Sequence, residues 1–346
     1  MEQRKKRFSG ADRYLYGTSY RTKWLYLRRK ILSRVKGAIP RELWIGVTHR
    51  CQCNCVHCYV GSMLNRPAEE LSGEELRRVI KNAKRLGFLD VCFLGGEPLL
   101  RGDITEIIRL ASSMGLLTTI YTNGILVTRE RARELKEAGL SFCCVSIDSA
   151  VAEEHNRLRG HAGCFEKATA GITYLQEAGI RCSIWTYAAK KDVKENGCRV
   201  LKDVIALGRR LGVLKVVILF PIASGKWMRC SENNLTLEER QRVRALVDPP
   251  FVALEFPWED AKCVGGRRML YLNAEGEAYP CPTVPYSFGN IRSEPLGTVI
   301  RRMQANFERP REEGCGECVM NRSSFRERLG MEDGRDKSGF MSGGDL

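Results

Sequence analysis

The sequence predicts an α/β fold built on a parallel sheet, and three observations carry that prediction. Short apolar runs alternate with amphipathic stretches of helical period between residues 41 and 225. The runs are continuously apolar, as strands are when both faces of a sheet are covered. Polar and glycine-containing clusters gather where the runs end, at 51–58, 95–98, 122–124 and 146–149. That is the edge at which α/β sheets build their sites.

In chain order, ELWIGV reads as the first strand and runs into the loop CQCNCVHCYV. Leu76, Val79, Ile80 and Ala83 then share one helical face, with Ser72 and Glu75 as a capping box and Gly87 as a stop. LDVCFL (89–94) is the second strand and ends at Gly-Gly-Glu-Pro. Asp103 with Glu106 starts the next helix, whose Ile107, Leu110 and Ala111 face inward. LTTIYTNG, FCCVSID, CSIWTYAA and VVILFPIASG continue the strands, with helices near 128–139, 165–178 and 198–211. From 226 to 258 the pattern breaks, leaving one helix around 236–246 and then DPPFVALEFPWED, which reads as a linker. A smaller unit follows at 259–325, where MLYLNAEGEAYPC reads as a hairpin turning at NAEG. The tail, 326–346, is polar and glycine-rich and reads as disordered.

Composition narrows the classes. An apolar fraction of 43% in 346 residues allows a large core. No apolar run approaches the ~18 residues of a membrane span, and the N-terminus lacks a secretory pattern, so a cytoplasmic protein is expected. Fifteen cysteines in a reducing compartment point to metal ligands, reactive thiols or small core residues before disulfides. The charge of +15 is concentrated in residues 1–36, where twelve Lys or Arg face Glu2 and Asp12. Trp24, Leu27, Ile31 and Val35 recur there at helical spacing, so 1–40 reads as a basic helix packed on the main domain. Its sharper reading is a surface for an anionic substrate, an acidic peptide or anionic lipid. Nucleic acid is not expected, because the stretch shows no recognised binding module.

Four cysteines fall within eight residues, and Cys51, Cys55 and Cys58 have the spacing C-x3-C-x2-C with Cys53 between them. Three thiolates on a four-iron cluster leave one iron open for chemistry. Zinc, with Cys53 as fourth ligand, is the competing reading of the spacing alone. The strand-end sequence Gly95-Gly96-Glu97-Pro98 bears on the choice, since glycines admit close backbone approach and a carboxylate can hold an ammonium group.

With both motifs directly after strands, residues 41–225 resemble the radical S-adenosylmethionine (radical SAM) enzymes. The resemblance implies a partial (β/α)6 TIM-like barrel with a small C-terminal auxiliary-cluster domain. It also implies a [4Fe–4S] cluster on Cys51, Cys55 and Cys58 whose open iron binds the methionyl amine and carboxylate of SAM. His57 takes the position whose backbone sits near the adenine, and Gly95, Gly96 and Glu97 are placed at the amine. Asn123, Ser146 and Asp148 are candidates for the SAM carboxylate and ribose, with turn and helix-capping chemistry as the alternative. Arg159, in HNRLRG, is a candidate to reach a carboxylate. Cys53 departs from the family pattern and is taken as a spectator. An electron donor such as flavodoxin or ferredoxin is implied.

Cys263, Cys281, Cys315 and Cys318 resemble the auxiliary-cluster extension of the SPASM type. No cysteine follows Cys318, so the match is to its truncated twitch form with one auxiliary [4Fe–4S] cluster. Zinc is the alternative there too. The other eight cysteines read mostly as small buried residues, and none is singled out as a hydrogen donor. No catalytic residue beyond the cofactor sites is assigned. Twitch enzymes divide between dehydrogenation or epimerisation of sugars and aminocyclitols and modification of ribosomal peptides. The segment before the barrel is short for a leader-binding domain, which favours a small polar substrate, with a peptide as the alternative. A non-catalytic iron–sulfur or zinc protein that binds nucleic acid or a partner is the reading from another class.

Overall fold

The structure is a computed structural model, and it describes residues 40–255, 263–307 and 318–329. The expected basic helix, Cys315 and most of the expected tail lie outside the described residues. No helix among the described residues is long and apolar enough to cross a membrane.

The expected strands are present as β1 (Glu42–Gly46), β2 (Asp90–Leu94), β3 (Leu117–Thr122), β4 (Phe142–Ser146), β5 (Arg181–Tyr187) and β6 (Lys215–Leu219). Each pairs in parallel with its predecessor. The sheet is wider than six strands. β7 (Val252–Leu254) adds in parallel to β6, and β8 (Met269–Leu272) adds in parallel to β1. β9 (Ala278–Tyr279) closes the expected hairpin against β8, giving the order β7-β6-β5-β4-β3-β2-β1-β8-β9. Strands that follow one another without reversal make a singly wound sheet, the layout of a partial barrel and not of a doubly wound nucleotide fold. The segment read as a linker thus supplies an edge strand. VAL is too short to register as a periodic run, and its tertiary pairing with Val216–Ile218 makes it a strand.

The helices are α1 (Gly73–Leu86), α2 (Ile104–Ser113), α3 (Arg129–Glu137), α4 (Ala152–Arg159), α5 (Cys164–Glu177), α6 (Lys190–Glu195), α7 (Arg199–Arg210), α8 (Leu237–Arg244), α9 (Leu296–Asn306) and α10 (Ser323–Arg328). α1 starts on the expected Ser72–Glu75 capping box and stops at Gly87, whose φ of 101° suits glycine. Asp103, expected to open α2, makes no side-chain cap there. Its carboxylate instead pairs with Arg101 at 2.6 Å. The short α4 and α6 are unexpected elements, and so is α9, although its buried Leu296, Val299, Ile300 and Met303 have the spacing of a helical face.

Strand alternation sorts the core into two layers. Leu43, Ile45, Val91, Phe93, Ile120 and Ile184 pack outward with the helices in the main apolar cluster. Their neighbours Trp44, Cys92, Leu94 and Tyr271 form a second cluster, against which Tyr121 and Trp185 pack. The outer layer is aliphatic and closely filled. The inner layer is largely aromatic and borders the site.

Candidate functional site

The sheet's inner layer and the loops beyond its carboxyl ends enclose a cavity of about 250 Å³. Cys51, Cys55 and Cys58 line it from the loop after β1, and Cys263, Cys281 and Cys318 line it from the C-terminal unit. The two cysteine sets, more than 200 residues apart in sequence, therefore open on one chamber.

The first cysteine loop is held from several sides. The backbone N–H of Cys51 donates to Asn65 Oδ1 at 2.8 Å, and Asn65 Nδ2 donates back to the Cys51 carbonyl at 3.0 Å. Asn54 and Val56 N–H groups donate to the carbonyls of Arg159 and Leu158 at the end of α4. On the opposite side, the Lys226 N–H donates to the Cys58 carbonyl at 3.0 Å. The loop carrying Lys226 is itself clamped by Asn321, whose Oδ1 accepts from the Ala223 N–H (2.8 Å) and whose Nδ2 donates to the Pro221 carbonyl (3.1 Å). Asn321 follows Cys318 by three residues, so the loop joins the surroundings of both cysteine sets.

The donor chemistry fits an iron–sulfur cluster at the first set. Hydrogen bonding from Cys53 lowers the thiols of Cys51 and Cys55, the latter to about 5 with further help from Arg159 and His57. Burial pushes the Cys58 thiol up, which a bound cation would reverse. Among the described residues no group of three or more His, Cys, Asp or Glu side chains converges as a single metal ion requires. A cubane instead takes each thiolate on a different iron. Cys53 is buried and engages Cys164 and its own neighbours Cys51 and Cys55, as a supporting thiol would. In the second set, burial raises the Cys281 and Cys318 thiols, and Cys281 Sγ lies 3.2 Å from Thr283 Oγ1. Of the remaining eight cysteines, seven are buried and Cys230 is partly exposed.

The other expected contacts divide. Gly95 and Gly96 line the cavity, and both must be glycine. A Cβ on Gly95 would lie 2.4 Å from the Thr48 carbonyl oxygen at a φ of +142°, and one on Gly96 would lie 2.2 Å from that of Arg50. Asn123 and Ser146 also face the cavity. Glu97, expected beside the glycines, is instead fully buried away from it. Its carboxyl accepts from the Thr122 hydroxyl at 2.7 Å, the Asn123 N–H at 2.8 Å and the Leu99 N–H at 3.1 Å, tying the end of β2 to the end of β3. Burial pushes its carboxyl up to about 7 against those hydrogen bonds.

Asp148 and Arg159 meet each other. Arg159 Nε is 2.8 Å from Asp148 Oδ2, and both side chains are nearly sealed from solvent. Burial alone would raise Asp148, but Arg159, His57 and His155 outweigh it and hold the carboxyl below its ordinary range. Burial likewise opposes the charge on Arg159, and Asp148, Cys55 and Cys164 together raise it. Arg159 therefore reaches the carboxylate of the protein's own Asp148. Its Nη1 also lies 3.7 Å from Cys55 Sγ. His57 packs its ring on Tyr187, centroids 4.4 Å apart, with Nε2 3.5 Å from Asp148, and burial lowers its pKa.

The aromatic walls, Trp44, Tyr121, Trp185, Tyr187 and Trp227, and also Glu255, belong to none of the motifs above. Trp44, Tyr121 and Trp185 are aromatic residues inside apolar strands, a signal that alternation alone would have raised.

Two family descriptions match the chain: "Radical SAM superfamily" over residues 45–204, and "Iron-sulfur cluster-binding domain", the SPASM family, over 263–319. An AdoMet-dependent heme synthase of Methanosarcina barkeri is 29% identical across 74% of this chain and 81% of its own. A PqqA peptide cyclase of Rhizobium meliloti is 28% identical across 75% of this chain and 73% of its own. In fold, the chain is similar to Streptococcus suis SuiB bound to precursor peptide SuiA. That likeness has a TM-score of 0.64 at 17% identity and covers 81% of this chain and 69% of the other. This chain carries a radical SAM domain over residues 45–204 and a SPASM-type domain over 263–319, so its cofactors are SAM, the [4Fe–4S] cluster that binds it and an auxiliary iron–sulfur cluster.

Proposed function

We propose that this chain is a radical SAM enzyme that modifies a peptide substrate, with Cys51, Cys55 and Cys58 holding the SAM-binding cluster. Cys263, Cys281 and Cys318, joined by Cys315, hold the auxiliary cluster in a unit spanning 259–325. The carrying observation is that both cysteine sets open on a single largely apolar cavity. When bound, SAM and its cluster supply a 5′-deoxyadenosyl radical, and the auxiliary cluster supplies a site for an electron.

The protein's part is enclosure and placement. Trp44, Tyr121, Trp185 and Trp227 keep water from the chamber and offer few polar groups to compete with a substrate. Gly95, Gly96, Asn123 and Ser146 border the space nearest Cys51–Cys58 and are suited to the polar groups of SAM. Glu97, Asp148 and Arg159 keep the surrounding loops in register.

A peptide fits better than the sugar or aminocyclitol expected from the sequence. The PqqA peptide cyclase relative and the peptide-bound SuiB neighbour support it. The aromatic cavity is also poorly matched to a polyhydroxylated ring, whose hydroxyls would lose water without partners. A tetrapyrrole is the second reading, favoured by the heme synthase relative and by the same flat aromatic walls. The test is 5′-deoxyadenosine release by anaerobically reconstituted protein with SAM and a strong reductant. A pool of synthetic peptides is compared with iron coproporphyrin. Acceleration by peptides alone supports the proposal, and acceleration by iron coproporphyrin alone replaces it with the second reading.

A further inference from the structure

Within the cavity one acidic group stands apart. Glu255 follows β7, and its backbone N–H donates to the Ile218 carbonyl at 3.0 Å, continuing the β6–β7 ladder by one residue. That bond fixes Glu255 at the carboxyl edge of the sheet, where its side chain lines the chamber. It lies close enough to Tyr187 and Cys281 to act electrostatically on both, which places it between the aromatic wall and the second cysteine set. Its carboxyl makes no hydrogen bond or ion pair among the described residues. Arg159, the cation that shares the cavity wall, is already committed to Asp148.

Burial pushes the Glu255 carboxyl up to about 8, and burial is the whole cause. Glu255 is half-buried, and the cavity walls around its carboxyl keep bulk water from solvating the charge. Polar groups so placed in folded proteins are almost always paired. A carboxyl with no partner among the described residues, on the wall of a largely aromatic cavity, is explained if the ligand brings the partner. A cationic donor would gain twice there, from the carboxylate and from the Tyr187 ring on which Glu255 already acts.

We propose that Glu255 is a specificity-determining residue that takes a primary ammonium or guanidinium group carried on an otherwise apolar substrate. This rests on the peptide reading, and it narrows that reading to a segment presenting a basic side chain or amine inside the chamber. A ligand whose polar groups are carboxylates would be disfavoured at the same place.

The test uses reconstituted holoprotein with SAM bound and no reductant, so it reads binding apart from turnover. Hexylammonium and 1-hexanol are titrated as probes and followed by ligand-observed NMR in the parent, Glu255→Gln and Glu255→Asp. The parent should prefer hexylammonium by roughly tenfold or more. Glu255→Gln should bring the two affinities within about twofold while its iron content and hexanol affinity stay at parental values. Glu255→Asp should retain part of the preference. Equal hexylammonium binding by the parent and Glu255→Gln, or no preference in the parent, overturns the inference. Failure of the peptide reading would appear elsewhere, as peptides that do not accelerate 5′-deoxyadenosine release in a protein that still selects the ammonium probe.

Discussion

Replacing Arg159 with Met keeps much of the aliphatic length and removes the guanidinium that faces Asp148 at 2.8 Å. Asp148 has a side chain only 3% exposed, so water cannot take the place of the lost charge. Of the neighbours that remain, His57 Nε2 is 3.5 Å away with a pKa lowered by its own burial, and His155 and the Tyr187 backbone give weaker support. Breaking a buried pair on one side costs about 3–5 kcal/mol, most of it the stranded charge. The sign of the pH dependence follows. In the parent, Asp148 has a depressed pKa, so its contribution is present above the unfolded value near 3.8 and is lost as pH falls through the folded value. In Arg159→Met burial dominates and the pKa rises, so the carboxyl stabilises only when protonated. The stability gap between parent and variant should be widest near pH 7 and narrow as pH falls toward 4. Denaturant unfolding at several pH values measures it, and Arg159→Met/Asp148→Asn should recover much of the loss. A variant within about 1 kcal/mol of the parent at pH 7, or a double variant no better than Arg159→Met, would refute the argument.

Other substitutions address the remaining supports. Gly96→Ala sets a Cβ 2.2 Å from the Arg50 carbonyl, backbone that cannot swing aside, so iron loading by the first cysteine set should fall sharply while the second set stays loaded. Asn321→Ala removes both bonds to the Pro221–Ala223 loop, at a cost of about 1–3 kcal/mol. Hydrogen exchange should then speed at Ala223 and at Lys226, whose N–H meets the Cys58 carbonyl, while exchange in β3 stays unchanged.

The parallel sheet was legible because its strands are uninterrupted apolar runs and its longer helices carry caps and periodic faces, as Ser72–Gly87 shows. What escaped was set by tertiary contact. β7 is three residues long and becomes a strand through its pairing with β6. The two cysteine sets were legible from spacing as candidate metal ligands, and the structure adds that their described members face one cavity, which no local pattern encodes. Glu97 and Arg159 show the opposite difficulty. Charged residues at strand and helix ends suggested ligand contacts; in the structure Glu97 is taken up by Thr122 and backbone donors, and Arg159, while lining the cavity, pairs with Asp148. Glu255 was hidden in a segment that read as linker, because nothing in its neighbours signals the enclosure around it.

Iron content and low-temperature EPR of the reconstituted protein, with and without SAM, test most directly whether two separate clusters serve one chamber. Two four-iron clusters give about eight irons per chain, and about four should remain after either Cys55→Ala or Cys281→Ala. SAM should alter the spectrum of the cluster that survives in Cys281→Ala and leave unchanged the one that survives in Cys55→Ala. An iron content untouched by Cys281→Ala, or a SAM response that persists in Cys55→Ala, would contradict it.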